Sequence, residues 1–410
     1  MKRISLFVLF ICTIFSCLSA QTDKENERIK QNYIRSIIGM DEEKQPYLQL
    51  LSKIPPEKEV SDQNVIELQQ LYPIRQEEIH RLISTIRGDG SWPDINYADT
   101  KRSGWEPHAE RILKLTKYYA REQENVSAQE ISAVVSIIHQ AMKYWFVQKP
   151  VCKNWWYNQI GIPRTLGPAF LLFETEMTEK EKQEAIRVME QSQFGMTGQN
   201  KVWLAGNVLI RGLLLNDTEL IKEARENICS EIVLGQKEGI QPDWSFHQHG
   251  AQLQFGNYGL AYFTEMVRWL SVLSESVYAF PPDRTVVLQN YYRNGLRWVL
   301  FDRQMDFSAC GRQNTERLPF QKYRTCVKTA VQLRRVTGEG ALSEEEEFRF
   351  SGCRYFYDSD FLVFRTPEFY CSVKMSSRRI RGSETVNSEN LLGRLTGHGA
   401  TMLMSRRGEL

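Results

Sequence analysis

Beyond its first twenty residues, the sequence has no stretch long and apolar enough to cross a bilayer, which takes about 20 mostly apolar residues. Its eight cysteines include no CxxC pair, so neither a zinc-ribbon spacing nor a dithiol redox motif is present. It has little net charge: +2 over 410 residues gives no global reason to expect a nucleic-acid or membrane-surface partner. With 42% hydrophobic and 25% charged residues it is not a disordered chain. That length holds two domains, or one large domain and part of another. Aromatics are plentiful, with nine Trp and seventeen Tyr. Such rings fill cores, and they also stack on the apolar faces of sugars.

The first twenty residues predict a secretory signal. Lys2 and Arg3 give a positive start, Ile4 to Phe15 is almost entirely apolar, and the small residues Ser16, Ser19 and Ala20 follow. Cleavage after Ala20 would release the protein to the periplasm or the medium. Ile14-Phe15-Ser16-Cys17 also loosely resembles a lipobox, the alternative in which Cys17 becomes a lipidated outer-membrane anchor. Export permits disulfides among the later cysteines.

Residues 21–337 read as helical. Val65–Ile86, Ser127–Trp145, Val202–Leu215 and Leu260–Leu273 carry apolar residues at spacings of three and four. Loops such as Gly88-Asp89-Gly90 and Pro281-Pro282-Asp283 separate them. Asp89-Gly90-Ser91-Trp92 is echoed by Asp243-Trp244-Ser245-Phe246, a repetition expected of stacked helix pairs. From about residue 338 the pattern changes. Phe348–Phe364 and Tyr370–Met375 are aromatic, β-branched and partly alternating, which predicts strands. Residues 338–410 are therefore expected to open a β-domain that is incomplete here.

Four clusters carry chemistry. Asn154-Trp155-Trp156-Tyr157-Asn158 holds three adjacent aromatics, which cannot all face one side of a helix. Either they are core, or one is exposed as a sugar platform. In Thr197-Gly198-Gln199-Asn200, Asn200 either caps the following helix or offers a neutral amide to a carboxylate. The densest cluster runs Ser245-Phe246-His247-Gln248-His249-Gly250, then Gln252, Gln254 and Asn257-Tyr258-Gly259. A His-x-His metal site would need further ligands, and no local Glu-x-x-His or Cys partner is present. Tyr258 falls near a helix start, where the dipole is expected to lower its phenol pKa. Last come Gly311-Arg312-Gln313-Asn314 with Arg317, and Ser383-Glu384 with Asn387 to Asn390.

Taken in order, these motifs resemble polysaccharide lyase family eight, which includes chondroitin AC, hyaluronate and xanthan lyases. The resemblance runs from Trp155-Trp156 to His398-Gly399-Ala400, about 250 residues. It implies an α/α toroid followed by the start of an antiparallel β-sandwich, an α+β multidomain class. It also implies β-elimination on an acidic polysaccharide such as chondroitin sulfate or hyaluronan, with no cofactor and no metal. In that reading Asn200, His249, Tyr258, Arg312 and Glu384 are catalytic. Asn200 and His249 neutralise the substrate carboxylate, Tyr258 moves the proton, Arg312 supports Tyr258, and Glu384 orients Arg312 or His249. Trp155, Trp156, Asn154, Asn158, Arg317 and Asn387 bind substrate. Two positions depart from the family pattern. Trp244 stands where a Gly is usual, and Glu316 holds the spacing of a second arginine, with Arg317 one residue later. The chain is expected to act as a monomer without nucleic acid. Two rivals remain: a hydrolase using the carboxylates of Asp89 and Asp243, and a glycan-binding protein without turnover.

Overall fold

The computed structural model describes residues 21–39, 76–100, 105–313, 315, 317–340, 349–386 and 389–406. The signal segment, the first part of the Val65–Ile86 stretch, and Asn314, Glu316 and Asn387 lie outside these residues. Two compact units emerge, one drawn from Met1–Phe194 with Trp203–Arg225, the other from Gly195–Val202 with Glu226–Leu410.

Among its described residues the first unit holds helices and no strand. Helix Ala128–Gln148 shows why. Val134, Ile137, Ile138, Ala141, Met142 and Trp145 recur every three or four residues and are buried. The Ser127 side chain caps the start by accepting from the Glu130 N–H, and Lys149 closes the end at φ 44°. Helix Glu179–Met189 begins in a reciprocal capping box between Thr178 and Glu181.

The second unit is built around helix Leu260–Leu273, buried on nearly every side. Helices Pro282–Asn294 and Leu318–Val336 accompany it. Two short hairpins come next: β1 (Gly239–Ile240) with β2 (Phe246–His247), and β3 (Leu300–Phe301) with β4 (Gln304–Met305). Strands β5 (Gly352–Phe356), β6 (Phe361–Arg365), β7 (Phe369–Lys374) and β8 (Ala400–Ser405) form one antiparallel sheet in that order.

One face of this sheet is buried and carries a surprising number of polar groups. Asp306, fully buried, accepts from the Tyr370 hydroxyl at 2.6 Å and from the hydroxyl of Ser372. Arg365 donates to the Leu300 and Arg297 carbonyls at 2.7 and 3.1 Å and lies 4.0 Å from the Phe350 ring centre. Burial pulls the Lys374 ammonium down to about 8. Each of these groups would be expensive to leave unpaired, about 1–3 kcal/mol, so they fix the sheet's register on the 296–310 segment.

The opposite face is apolar and open. The register aligns Cys353, Tyr355, Leu362, Phe364, Cys371, Val373 and Leu403 on it, with Tyr355, Phe364 and Leu403 46–51% exposed. Such a face invites association. Phe364→Lys combined with Leu403→Thr is therefore expected to reduce light scattering at a given concentration. The thermal midpoint should stay nearly unchanged, since exposed substitutions usually fall within about 0.5 kcal/mol. A collapse of the midpoint would show instead that the two side chains are core.

Candidate active site

The β1–β2 hairpin turns at Asp243-Trp244-Ser245. Asp243 Oδ1 accepts from the Ser245 N–H at 2.8 Å, and its Oδ2 accepts from the Asp358 N–H at 2.6 Å. The echo seen in the sequence is the same turn made twice. Asp89 accepts from the Ser91 N–H and hydroxyl, with Gly90 at φ 90° where Trp244 sits at φ 72°. Asp306 uses the same carboxylate-to-Ser contact, with the Ser308 N–H and hydroxyl, to cap a short 3-10 helix rather than to form this turn. Asp89 and Asp243 hold turns and belong to different units.

After β2 the backbone turns left-handed twice, at His249 (φ 61°) and Gly250 (φ 87°). His tolerates this region better than most side chains, though it is uncommon for any non-glycine residue. Glu238 holds the loop from one side. Its Oε1 accepts from the His249 and Gly250 N–H groups at 2.8 and 3.2 Å. Its Oε2 accepts from the Thr197 hydroxyl at 2.6 Å and the Gln248 side-chain amide at 2.5 Å. Arg381 holds the other side, its N–H on the Ala251 carbonyl at 2.8 Å and its guanidinium on the His249 carbonyl at 3.1 Å. The His249 ring is thereby aimed at Glu384, with Nδ1 2.8 Å from Oε2. His247 faces elsewhere, its Nε2 2.9 Å from the Ser359 hydroxyl.

Tyr258 lies in a π-helical turn, Phe255–Gly259, that runs straight into helix Leu260–Leu273. This turn needs its glycines. A Cβ on Gly256 would come within 2.8 Å of both the Met305 and Cys310 sulfurs, and one on Gly259 would meet the Tyr291 hydroxyl at 2.6 Å. Held this way, the 7%-exposed Tyr258 ring meets the His249 ring edge-on, centroids 4.8 Å apart. Arg312 completes the set. It donates to Glu384 Oε1 at 2.5 Å and to Glu389 Oε2 at 2.7 Å, and reaches the Tyr258 hydroxyl at 3.5 Å. Glu384 thus bridges His249 and Arg312, and the Gln254 amide joins it at 3.3 Å.

Asn200 does not cap its helix. The helix begins two residues earlier, at Gly198 (φ 58°). Its first amides are already taken: the Gly198 N–H by Glu231 at 2.9 Å, the Gln199 N–H by the Gln248 amide oxygen at 3.0 Å. Asn200 therefore contributes a side chain alone, 8% exposed, whose buried Oδ1 has no partner among the described residues. Gln248, which holds the N–H of the preceding Gln199, is itself followed directly by His249. Arg317 is exposed and directly precedes helix Leu318–Val336. Glu238 was missed in the sequence, whereas Gln248, Gln254 and Glu389 lay inside the clusters singled out there but were given no role. For Glu238 the signal was the pairing Gly239↔His247, which sets residues 238 and 248 opposite each other, and only a known register reveals it.

In the first unit, Trp155 is 42% exposed, whereas Trp156 is held edge-on by Tyr157 and Trp203 at 5.4 and 5.5 Å. Asn154 accepts from the Trp156 N–H, and both ends of the Asn158 amide bond the Cys152 backbone. These two amides shape the loop.

The expected lowering of the Tyr258 phenol pKa is reversed. Burial pushes it up and outweighs the hydrogen bond and charge of Arg312, which pull it down. Glu384 goes the other way. Burial opposes its ionisation, but His249 and Arg312 together hold it below the usual 4.5. A depressed carboxyl stabilises the fold above its unfolded pKa and loses that effect as pH falls through its folded one. The thermal midpoints of the wild type and Glu384→Gln should therefore differ near pH 6 and converge as pH drops below about 4. A gap that widens with acid would contradict the assignment.

Comparison with known proteins follows the same residues. The model of the polysaccharide lyase family 8 N-terminal alpha-helical domain matches residues 56–347, and that of the family 8 super-sandwich domain matches 351–409. Chondroitinase-AC of Pedobacter heparinus is 27% identical over 345 residues, covering 80% of this chain and 49% of that protein. Hyaluronate lyase of Thermasporomyces composti is 24% identical over 296 residues, covering 60% and 38%. The chain thus spans about half the length, or less, of these relatives. A solved chondroitinase AC lyase superposes with a TM-score of 0.72 at 22% identity, covering 93% of this chain and 55% of that one. The likeness shows the fold, an α/α toroid followed by antiparallel sheet.

Proposed function

The chain belongs to polysaccharide lyase family 8, and from that membership we propose that it cleaves a uronic-acid-containing glycosaminoglycan, chondroitin sulfate or hyaluronan, by β-elimination. The products would carry a 4,5-unsaturated uronyl end. The observation that carries this reading is the Glu384 bridge, which gathers His249, Arg312 and, through Arg312, Tyr258 into one set.

The C5 proton of a uronate is weakly acidic because its removal places charge beside a carboxylate. Neutralising that carboxylate is the main electrostatic task. Asn200 and His249 take it in this proposal, Asn200 with a neutral amide and His249 with the ring nitrogen not turned to Glu384. Tyr258 as phenolate accepts the C5 proton. The C4–O4 bond then breaks, and the phenol returns the same proton to the leaving oxygen, which regenerates the phenolate. Arg312 lies where it can stabilise the phenolate in both halves of the cycle. Trp155, the open ring of its segment, is proposed to stack on the polymer. Such polymers are extracellular, which is the motive for proposing export through residues 1–20.

A second reading is favoured by the raised phenol pKa: His249, backed by Glu384, takes the C5 proton and Tyr258 stays a neutral acid. A pH profile separates the two. Product is followed by the ultraviolet absorbance of its conjugated double bond. If Tyr258 is the base, kcat/KM should climb about tenfold per pH unit up to the phenol's own range. A plateau near neutrality selects His249. No ultraviolet product from either polymer would remove the lyase reading altogether.

A further inference from the structure

We propose that Glu238 is a positioning residue for the lyase reaction, a role that rests on the function proposed above. Its two oxygens hold the His249 loop and the segment leading into the Asn200 helix in one fixed arrangement.

Successive backbone N–H groups in a turn can point toward one place, a concavity that suits an anion. At His249 and Gly250 that anion is the protein's own carboxylate, Glu238 Oε1, which accepts from both. Oε2 is shared between the Thr197 hydroxyl, one residue before Gly198, and the Gln248 amide. Gln248 in turn accepts from the Gln199 N–H, next to Asn200. One carboxylate therefore sets the spacing between the two groups assigned to the substrate carboxylate. Arg381 grips the carbonyl side of the same loop. With its N–H and C=O both committed, His249 keeps its ring on Glu384 and against Tyr258. Glu238 touches neither of these and acts through the backbone.

The test is a donor–acceptor swap. Glu238→Gln leaves one oxygen for His249 and Gly250 but turns an amide nitrogen toward the donors of Thr197 and Gln248. We expect kcat to fall about 10–100-fold, the scale of a small misplacement of reacting groups, with KM within about threefold. Adding Gln248→Glu moves the charge across the same hydrogen bond and restores it, keeps the acceptor for the Gln199 N–H and lets the Thr197 hydroxyl accept instead of donate; the long 3.5 Å contact to the Thr197 carbonyl is lost. The double variant should return to within about threefold of wild-type kcat. A purely structural role would lower the thermal midpoint and leave kcat per folded molecule unchanged. The proposal is overturned if Glu238→Gln keeps more than half of wild-type kcat, or if the folded double variant stays as slow as the single one. Should the single variant not fold, the double variant decides by the same threshold. A wild type that yields no unsaturated product from any uronate polymer would overturn the lyase reading instead. Glu238 is then judged by the His249 imidazole resonances, assigned with His249→Ala. They should move in Glu238→Gln, and unmoved resonances would overturn the positioning role as well.

Discussion

Tyr258→Phe is expected to abolish nearly all turnover while leaving the polymer bound. The ring sits 7% exposed in a glycine-walled turn and packs edge-on against His249. Phe preserves that packing and deletes the transferable proton. General acid–base groups contribute roughly 10²–10⁴-fold. Tyr258 serves both proton transfers in the proposed cycle, and in the second reading it still supplies the acid. The loss should therefore reach the upper end of that range or exceed it. The variant also discards a long contact of 3.5 Å to Arg312, but Arg312 keeps both of its carboxylate partners, so the site should not rearrange. The measurement pairs the initial rate of unsaturated product with binding of intact polymer. A variant that retains more than about a tenth of wild-type turnover, far above what loss of such a group permits, would move the proton-transfer role away from Tyr258.

The sequence was a good guide where periodicity speaks directly. Leu260–Leu273 was expected as a helix and is one, with the same ends, because an apolar run buried on most sides leaves little choice of boundary. The strands β5 to β7 fall, to within one residue, inside the stretches expected, whose alternation matches a sheet with one buried face. Strand β8 was not anticipated. Ala400-Thr401-Met402-Leu403-Met404 has one β-branched residue, and its pairing with β7 comes from the sheet rather than from propensity. At the site, His249, Tyr258, Arg312 and Glu384 were all found in the sequence, but their electrostatics were not. The helix-start argument pointed the Tyr258 pKa downward, and burial, which no spacing encodes, turned it upward. Asn200 was weighed as a cap because a TGQN segment preceding a helix reads that way. The helix starts two residues before it, so Asn200 lies inside the first turn, whose Gly198 and Gln199 N–H groups are held by Glu231 and Gln248, residues 31 and 48 positions beyond Asn200. Glu238 was invisible for the same reason, since its partners are set by a hairpin register.

Glu384→Gln is expected to cost about as much as losing an orienting carboxylate in a catalytic triad, roughly 10⁴-fold in kcat. The argument is one of valence. Glu384 is an acceptor on both oxygens: Oε2 meets His249 Nδ1 at 2.8 Å, and Oε1 meets Arg312 at 2.5 Å. A glutamine has one acceptor and one donor end. With the donor toward Arg312, two sets of N–H groups collide and the guanidinium swings from Tyr258. With the donor toward His249, Nδ1 must become the acceptor, which fixes a single ring proton on Nε2, so that nitrogen can neither take the C5 proton nor share with Nδ1 a positive charge set against the substrate carboxylate. Either orientation disables one member of the set, and neither is repaired by geometry, since the side chains are nearly isosteric. Because Glu384 acts through its partners, its effect should not add to theirs. The double variant Glu384→Gln with His249→Ala should lose little more than the slower of the two single variants, measured by the same ultraviolet assay. If the two losses multiply in full, Glu384 and His249 work independently, and the bridge seen between them would not be the device that organises the site.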